Sequence, residues 1–156
     1  MSTVKANTVT ASTTNGSVTI QGNGTGTIIA ADDILASDKV LSRANFLDTG
    51  TTTNAIGATG GGTQDIDMVL GNSVSATVDT STNTFTFSNP TASGSMCGFV
   101  LTLTNGGSQT VNWPASVDWA SATAPTLTAA GVDIITFFTL DGGTIWHGAI
   151  GSTDSS

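Results

Sequence analysis

The chain contains no glutamate, and its only cations, Lys5, Lys39 and Arg43, fall in the first 43 residues. That pattern removes most of the residues that stabilise exposed helix faces. What replaces them is Gly, Thr, Ser, Asn and Ala, with charged residues at only 9% of the 156. A typical soluble domain carries roughly 25%. Thr and Val favour strands, and Gly, Asn and Asp favour turns. The sequence therefore predicts an all-β fold before any periodicity is considered.

The same distribution excludes several partners. From Ala44 onward every charge is an aspartate, and these eight equal the formal net charge of −8. Such a body has no clustered Lys or Arg to neutralise phosphates, so nucleic acid is not expected as a partner. An anionic membrane surface is not expected either. The first five residues, Met1-Ser2-Thr3-Val4-Lys5, lack the apolar stretch of a secretory signal, so assembly in a cytoplasm is the expectation. Cys97 is the single cysteine, which precludes an intrachain disulfide.

Three regions follow from composition along the chain. Residues 1–64 read as an N-terminal arm with a Gly/Thr-rich connection, 65–151 as a β-sandwich body, and 152–156 as a solvated tail. Within the arm, Thr8-Val9-Thr10, Ser17-Val18-Thr19-Ile20-Gln21 and Thr27-Ile28-Ile29 alternate as half-buried strands do. Each is too short to stand alone, so these strands are expected to lie on another chain. Val4, Lys5, Val9, Val18, Ile20, Ile28 and Ile29 are the candidate docking residues. Residues 31–47 carry a weak helical pattern, with Asp32 and Asp33 placed to cap it. Asp48 to Gln64, with its Gly60-Gly61-Gly62 triplet, reads as a flexible loop.

In the body, Val74, Ala76 and Val78 alternate with polar residues, turn at Thr80–Asn83, and meet Phe85 and Phe87. That reads as a hairpin. Phe99, Leu101 and Leu103 alternate before the turn Asn105-Gly106-Gly107, which leads to Val111 and Trp113. Val132 to Leu140 is nearly continuously apolar and is expected to be a central strand buried on both faces. Asp141-Gly142-Gly143 turns it into the segment Thr144–Ile150. About seven short strands with turn chemistry between them predict an antiparallel β-sandwich, jelly-roll-like, behind an extended N-terminal arm.

Candidate chemistry is sparse. His147 has no evident nucleophile or orienting acid in sequence and reads as a surface or interface residue. Cys97, flanked by Met96 and Gly98, reads as a buried structural thiol. One His and one Cys cannot supply a zinc tetrad. Asp65 and Asp67 share a strand face and could hold Ca²⁺ with Asp141, although turn and surface roles suffice to explain all three. The glycine-rich segments do not open a helix and lack a following Lys, so they are turns and not phosphate cradles. No cofactor and no enzymatic activity are expected. The large residues assigned to core or interface are Trp113, Trp119, Phe137, Phe138 and Trp146. Trp119 is either a lid on the core or an interface anchor. Phe137, in parity with Ile135, is expected inside the fold.

One resemblance is carried by the second half of the chain. Thr84–Pro90 is followed by Gly98-Phe99-Val100-Leu101-Thr102-Leu103-Thr104-Asn105-Gly106-Gly107-Ser108, then Val111-Asn112-Trp113-Pro114, Ala124–Thr128 and Asp141–Gly148. This series resembles β-sandwich modules of tailed-bacteriophage virion surface proteins, among them capsid cement or decoration proteins and tail fibres. The resemblance implies a non-enzymatic virion structural protein on the capsid exterior, with the major capsid protein as partner and a homotrimer as assembly state. The shortness of the chain favours capsid decoration. A tail-fibre or receptor-binding component is the alternative.

Overall fold

In the computed structural model the described residues are 47–155. They are mostly strand, with three single-turn 3-10 helices and no α-helix. The protein is all-β, as the missing helix formers predict. The arm strands, the residue 31–47 pattern up to Phe46 and all seven candidate docking residues lie outside the described residues.

Nine strands form two sheets. In chain order they are β1 (Thr53–Ala58), β2 (Gly62–Asp67), β3 (Ser73–Thr77), β4 (Asn83–Ser88), β5 (Cys97–Thr104), β6 (Val111–Asn112), β7 (Val117–Trp119), β8 (Val132–Thr139) and β9 (Trp146–Ser155). One sheet has the order β1-β3-β5-β8-β9-β7 and the other β2-β4-β6. Through β6, odd strands enter the first sheet and even strands the second. The chain thus winds through three successive coils, each giving one strand to each sheet. Within the coils all neighbours are parallel: β1 with β3, β3 with β5, β2 with β4, and β4 with β6. β8 then pairs antiparallel with β5 and with β9, and β7 pairs parallel with β9.

This corrects the antiparallel expectation, because five of the seven pairings are parallel. The physical reason lies in what alternation encodes. A period of two fixes which face of a strand is buried but not which strand lies beside it. Parallel strands need a crossover connection, and here the facing sheet supplies it. The turns at Thr80–Asn83 and Asn105–Gly107 therefore send the chain across the core and not back alongside the strand just finished. Only Asp141-Gly142-Gly143 closes a hairpin, β8 to β9. A second correction concerns residues 48–64, read from sequence as a loop: Thr53–Ala58 and Gly62–Asp67 are the first coil. Likewise β9 extends to Ser155, through most of the segment expected to be a tail.

The two sheets share one core. Ile66, Phe85 and the half-buried Phe87 from the smaller sheet meet Val74, Ala76, Phe99, Leu101, Leu103, Ile135, Phe137 and Trp146 from the larger. Its densest part is aromatic. Phe137 lies 5.0 Å from both Phe87 and Phe99, 5.3 Å from Trp113 and 5.4 Å from Trp119. Trp113 and Trp119 are partly buried against the core, and Trp146 is buried within it. Asp133 is fully buried on the inner face of β8. It accepts hydrogen bonds from Thr128 N (2.7 Å), the Thr128 hydroxyl (2.7 Å) and Asp154 N (3.3 Å). Burial of a carboxylate is tolerable only with such a set of donors.

Candidate functional site

β8 is central in its sheet but is not buried on both faces, contrary to the sequence expectation. Its residues Asp133, Ile135, Phe137 and Thr139 point inward, whereas Phe138 is 41% exposed. Phe138 thereby marks an apolar surface on the outer face of the larger sheet. Opposite it on β5 stands Gly98. A Cβ on Gly98 would come within 2.6 Å of the Phe137 carbonyl oxygen and 3.0 Å of the Phe138 Cβ. A glycine is therefore required for this close approach, and the missing side chain leaves a depression.

The depression is the floor of an open hollow of about 560 Å³ walled by Met96, Val100, Thr136 and Phe138, with Thr51, Asn72 and Thr91 on its rim. Met96 is 72% and Val100 43% exposed. The rim is held by two hydrogen bonds, Asn72 Nδ2 to the Gly98 carbonyl (2.6 Å) and Val100 N to the Asn72 carbonyl (2.9 Å). Thr51 and Asn72 also line a second hollow, of about 440 Å³, bounded by Met68–Gly71. There Val69 and Leu70 stand exposed on the single helical turn between β2 and β3. Two adjoining hollows thus share a polar rim and are bordered by exposed Val, Leu, Met and Phe side chains. The hollow at Gly98 is the mainly apolar one, and exposed apolar surface gathered in one place marks an interaction site more often than scattered single residues do.

The polar neighbours of this face are few. The His147 ring lies 5.0 Å from that of Phe138, and its Nδ1 is 4.0 Å from Asp118 Oδ2. Both His147 and Asp118 are exposed. Cys97 is buried at the edge of the hollow as a free thiol.

The carboxylates considered for Ca²⁺ serve separate local structures. Asp65 accepts from Thr86 Oγ1 (2.7 Å) and Ser88 Oγ (2.6 Å) on the neighbouring strand. Asp67 accepts from Asn89 Nδ2 (3.0 Å) and caps the helical turn through Val69 N (2.9 Å). These bonds, that from Asn89 foremost, hold its carboxyl below the usual carboxylate range. Asp141 accepts from Ile145 N (3.0 Å) and the Thr139 hydroxyl (2.8 Å), which lower its pKa in the same order. Among the described residues no three His, Cys, Asp or Glu side chains gather to hold a metal ion. No helix among them is long and apolar enough to cross a membrane.

Sequence reasoning missed Met96, Gly98 and Val100. A glycine inside an otherwise apolar alternation, Cys97-Gly98-Phe99-Val100, was the available signal of close approach. Comparison with known proteins adds no relative: no family model, curated protein or solved structure matches the chain.

Proposed function

We propose that this chain is a structural protein of a tailed-bacteriophage particle, a capsid decoration or cement protein that binds the outside of the major capsid protein shell. In this reading it carries out no reaction, the two-sheet body is the sandwich module, and the residues before Leu47 are its docking arm. The observation that supports it is the mainly apolar hollow at Gly98, with exposed Val69 and Leu70 beside the adjoining one, on a body whose described residues include no Lys or Arg. A face bordered by exposed Val69, Leu70, Met96 and Phe138 suits a partner that brings apolar side chains, and the desolvation cost of burying charge is small there. The series from Thr84 to Gly148 that resembles virion surface modules gives that partner its class.

Quantitative mass spectrometry of purified particles tests the location. Hundreds of copies per particle are the expected result; a few dozen or fewer would place the chain on the tail. Binding tests the surface. Purified chain is co-sedimented with capsids that lack it, and Met96→Asp or Val100→Asp is expected to weaken binding at least tenfold. Affinity unchanged within about twofold in both variants would remove the hollows from the interface.

A further inference from the structure

Strand pairing puts four residues in one row across the outer face of the larger sheet. Gly98 on β5 stands beside Phe138 on β8, Phe138 beside His147 on β9, and His147 beside Asp118 on β7. The row begins at the hollow and ends on a carboxylate. The rings of Phe138 and His147 are 5.0 Å apart, and His147 Nδ1 lies 4.0 Å from Asp118 Oδ2. Phe138 is 41% exposed, and the side chains of His147 and Asp118 are 47% and 65% exposed. Adjacent strands lie about 4.8 Å apart, so Asp118 stands about 14 Å from Gly98.

Most of the other carboxylates are engaged locally, and Asp118 is not. Asp65, Asp67, Asp79, Asp133 and Asp141 all accept hydrogen bonds from their own chain. Among the described residues Asp118 accepts none, and they include no Lys or Arg to pair with it. A partner docked over the hollow also reaches this row, because an interface of standard size buries about 800 Å² on each side, a patch roughly 30 Å across. A carboxylate brought under a partner without a cation gives up water and gains nothing in return. The partner therefore has to supply the cation. Strands β1, β3 and β5 carry no charge and β8 turns its Asp133 inward, so that cation belongs at the Asp118 end of the row.

We propose that the capsid partner lays an extended segment across this row, with an apolar side chain in the Gly98 hollow and an arginine two residues further on. The arginine stem lies over the Phe138 and His147 rings, and its guanidinium meets Asp118. The spacing follows from the geometry. Residues two apart in an extended chain share a face and lie about 7 Å from each other. The distance left to Asp118, again about 7 Å, is the reach of an arginine side chain. Arginine is favoured over lysine because a planar guanidinium stacks on aromatic faces and forks onto a carboxylate. The inference rests on the decoration reading for the source of the partner and adds the chemistry by which that partner is recognised.

Peptide titration tests the recognition without capsids. An acetylated and amidated Ser-Leu-Thr-Arg-Ser peptide is added to the full chain, and NMR follows the Met96 methyl and the Phe138 and His147 rings. Shifts at all three are expected, with affinity at least fivefold above that of the same peptide carrying citrulline, the neutral isostere, in place of arginine. Asp118→Asn is expected to remove that difference. Equal affinity for the two peptides, or no shift at these residues at millimolar peptide, overturns the proposal. Capsid binding tests it in the assembly. Asp118→Asn is expected to weaken co-sedimentation at least threefold and to flatten its dependence on salt. Asp65→Asn, the same charge change on the smaller sheet, is expected to stay within twofold of the native chain. Equal losses in both variants would make the effect one of net charge and overturn the pairing. Self-association of the free chain that Asp118→Asn abolishes would give the cation to a second copy and overturn the capsid assignment. A native chain that distinguishes the two peptides but binds no capsid removes the decoration reading alone.

Discussion

The coiled end of the molecule, β1 to β4, and the hairpin end, β8 with β9, are built on opposite principles. In the coils every pairing joins residues 19 to 28 apart in sequence, from Gly57 with Ala76 to Asn83 with Val111. Each strand leaves its neighbour and visits the other sheet before the next one returns. In the hairpin, Phe138 faces His147 across a short turn, and the pairing is local. The packing also varies along the molecule. β1 to β3 and their links bring modest side chains, Ile66, Val74, Ala76 and Val78 among them, to the core, whereas the rings of β4 join the aromatic cluster: Phe87 lies against Phe99, Phe137 and Trp146, and Phe85 stacks on Trp113. Aromatic side chains bury more area each, so stability should concentrate in that cluster and be lower around β1 to β3. Among the described residues, β1 and β2 are the terminal strands of their sheets, and the packing around them is built from smaller side chains.

The largest expected effect separates the two faces of β8. Phe137→Ala removes a ring that touches Phe87, Phe99, Trp113 and Trp119, and should cost about 3–5 kcal/mol. Phe138→Ala, at a ring 41% exposed, should cost about 1 kcal/mol or less and act on binding instead. Denaturant melts of both read the difference directly. Equal losses would mean that the outer face is packed as tightly as the inner one. The same measurement on Val74→Ala, at the coiled end, should give a loss about half that of Phe137→Ala, since fewer carbons leave the core. A loss as large as that of Phe137→Ala would reverse the ranking of the two ends.

Asp133 offers an intermediate effect that bears on how the hairpin end is tied to its surroundings. Its carboxylate joins the segment before β8, through Thr128, to the last residues of β9, through Asp154 N. Asp133→Ala would strand those donors in a buried site and should cost about 1–3 kcal/mol. Hydrogen exchange should report faster opening at Thr128 and Asp154, with β1 and β2 unchanged. Acceleration spread evenly over both ends would show that the molecule opens as one unit.

Which residues are inside was legible in the sequence far better than which strands are neighbours. Val74, Ala76, Phe85, Phe99, Leu101, Leu103 and Phe137 are recoverable from alternation alone, because burial is a property of one strand's faces. Pairing belongs to two strands, and the same alternation serves parallel and antiparallel partners. The coil was further hidden because Thr53–Asp67 is poor in large apolar residues: Ile56 and Ile66 are the only ones in β1 and β2. Its positive-φ glycines looked like a linker when they are turn positions. The candidate surface was half legible. Phe138 announced itself by parity with its buried neighbour, but the hollow arises from Gly98, a residue with no side chain to signal it.

The smallest expected effect is pH dependence, and each end carries one carboxylate that can report it. Asp67 belongs to the coiled end, where it caps the link from β2 to β3, and Asp141 belongs to the hairpin turn. Both carboxyls are held below their ordinary value by hydrogen bonds to the charged form. Protons therefore bind more tightly to the unfolded chain than to the folded one. The stabilisation is fully present above the unfolded pKa, near 3.8, and is lost as pH falls through the lower folded pKa of each group. Thermal melts from pH 6 to pH 2 should thus hold level until about pH 4 and then decline. Both groups lie at the surface, so each contribution is small and salt-sensitive. Asp67→Asn and Asp141→Asn should each lower the melting temperature slightly at neutral pH and flatten part of the acid decline. If the link to β3 is the weaker element, amide exchange in Asp67→Asn should quicken around Val69–Asn72 without spreading to β8 and β9. Asp141→Asn should quicken Gly143–Ile145 and leave the coils unchanged. A common acid response in which either variant loosens both ends would show that the coils and the hairpin do not open independently.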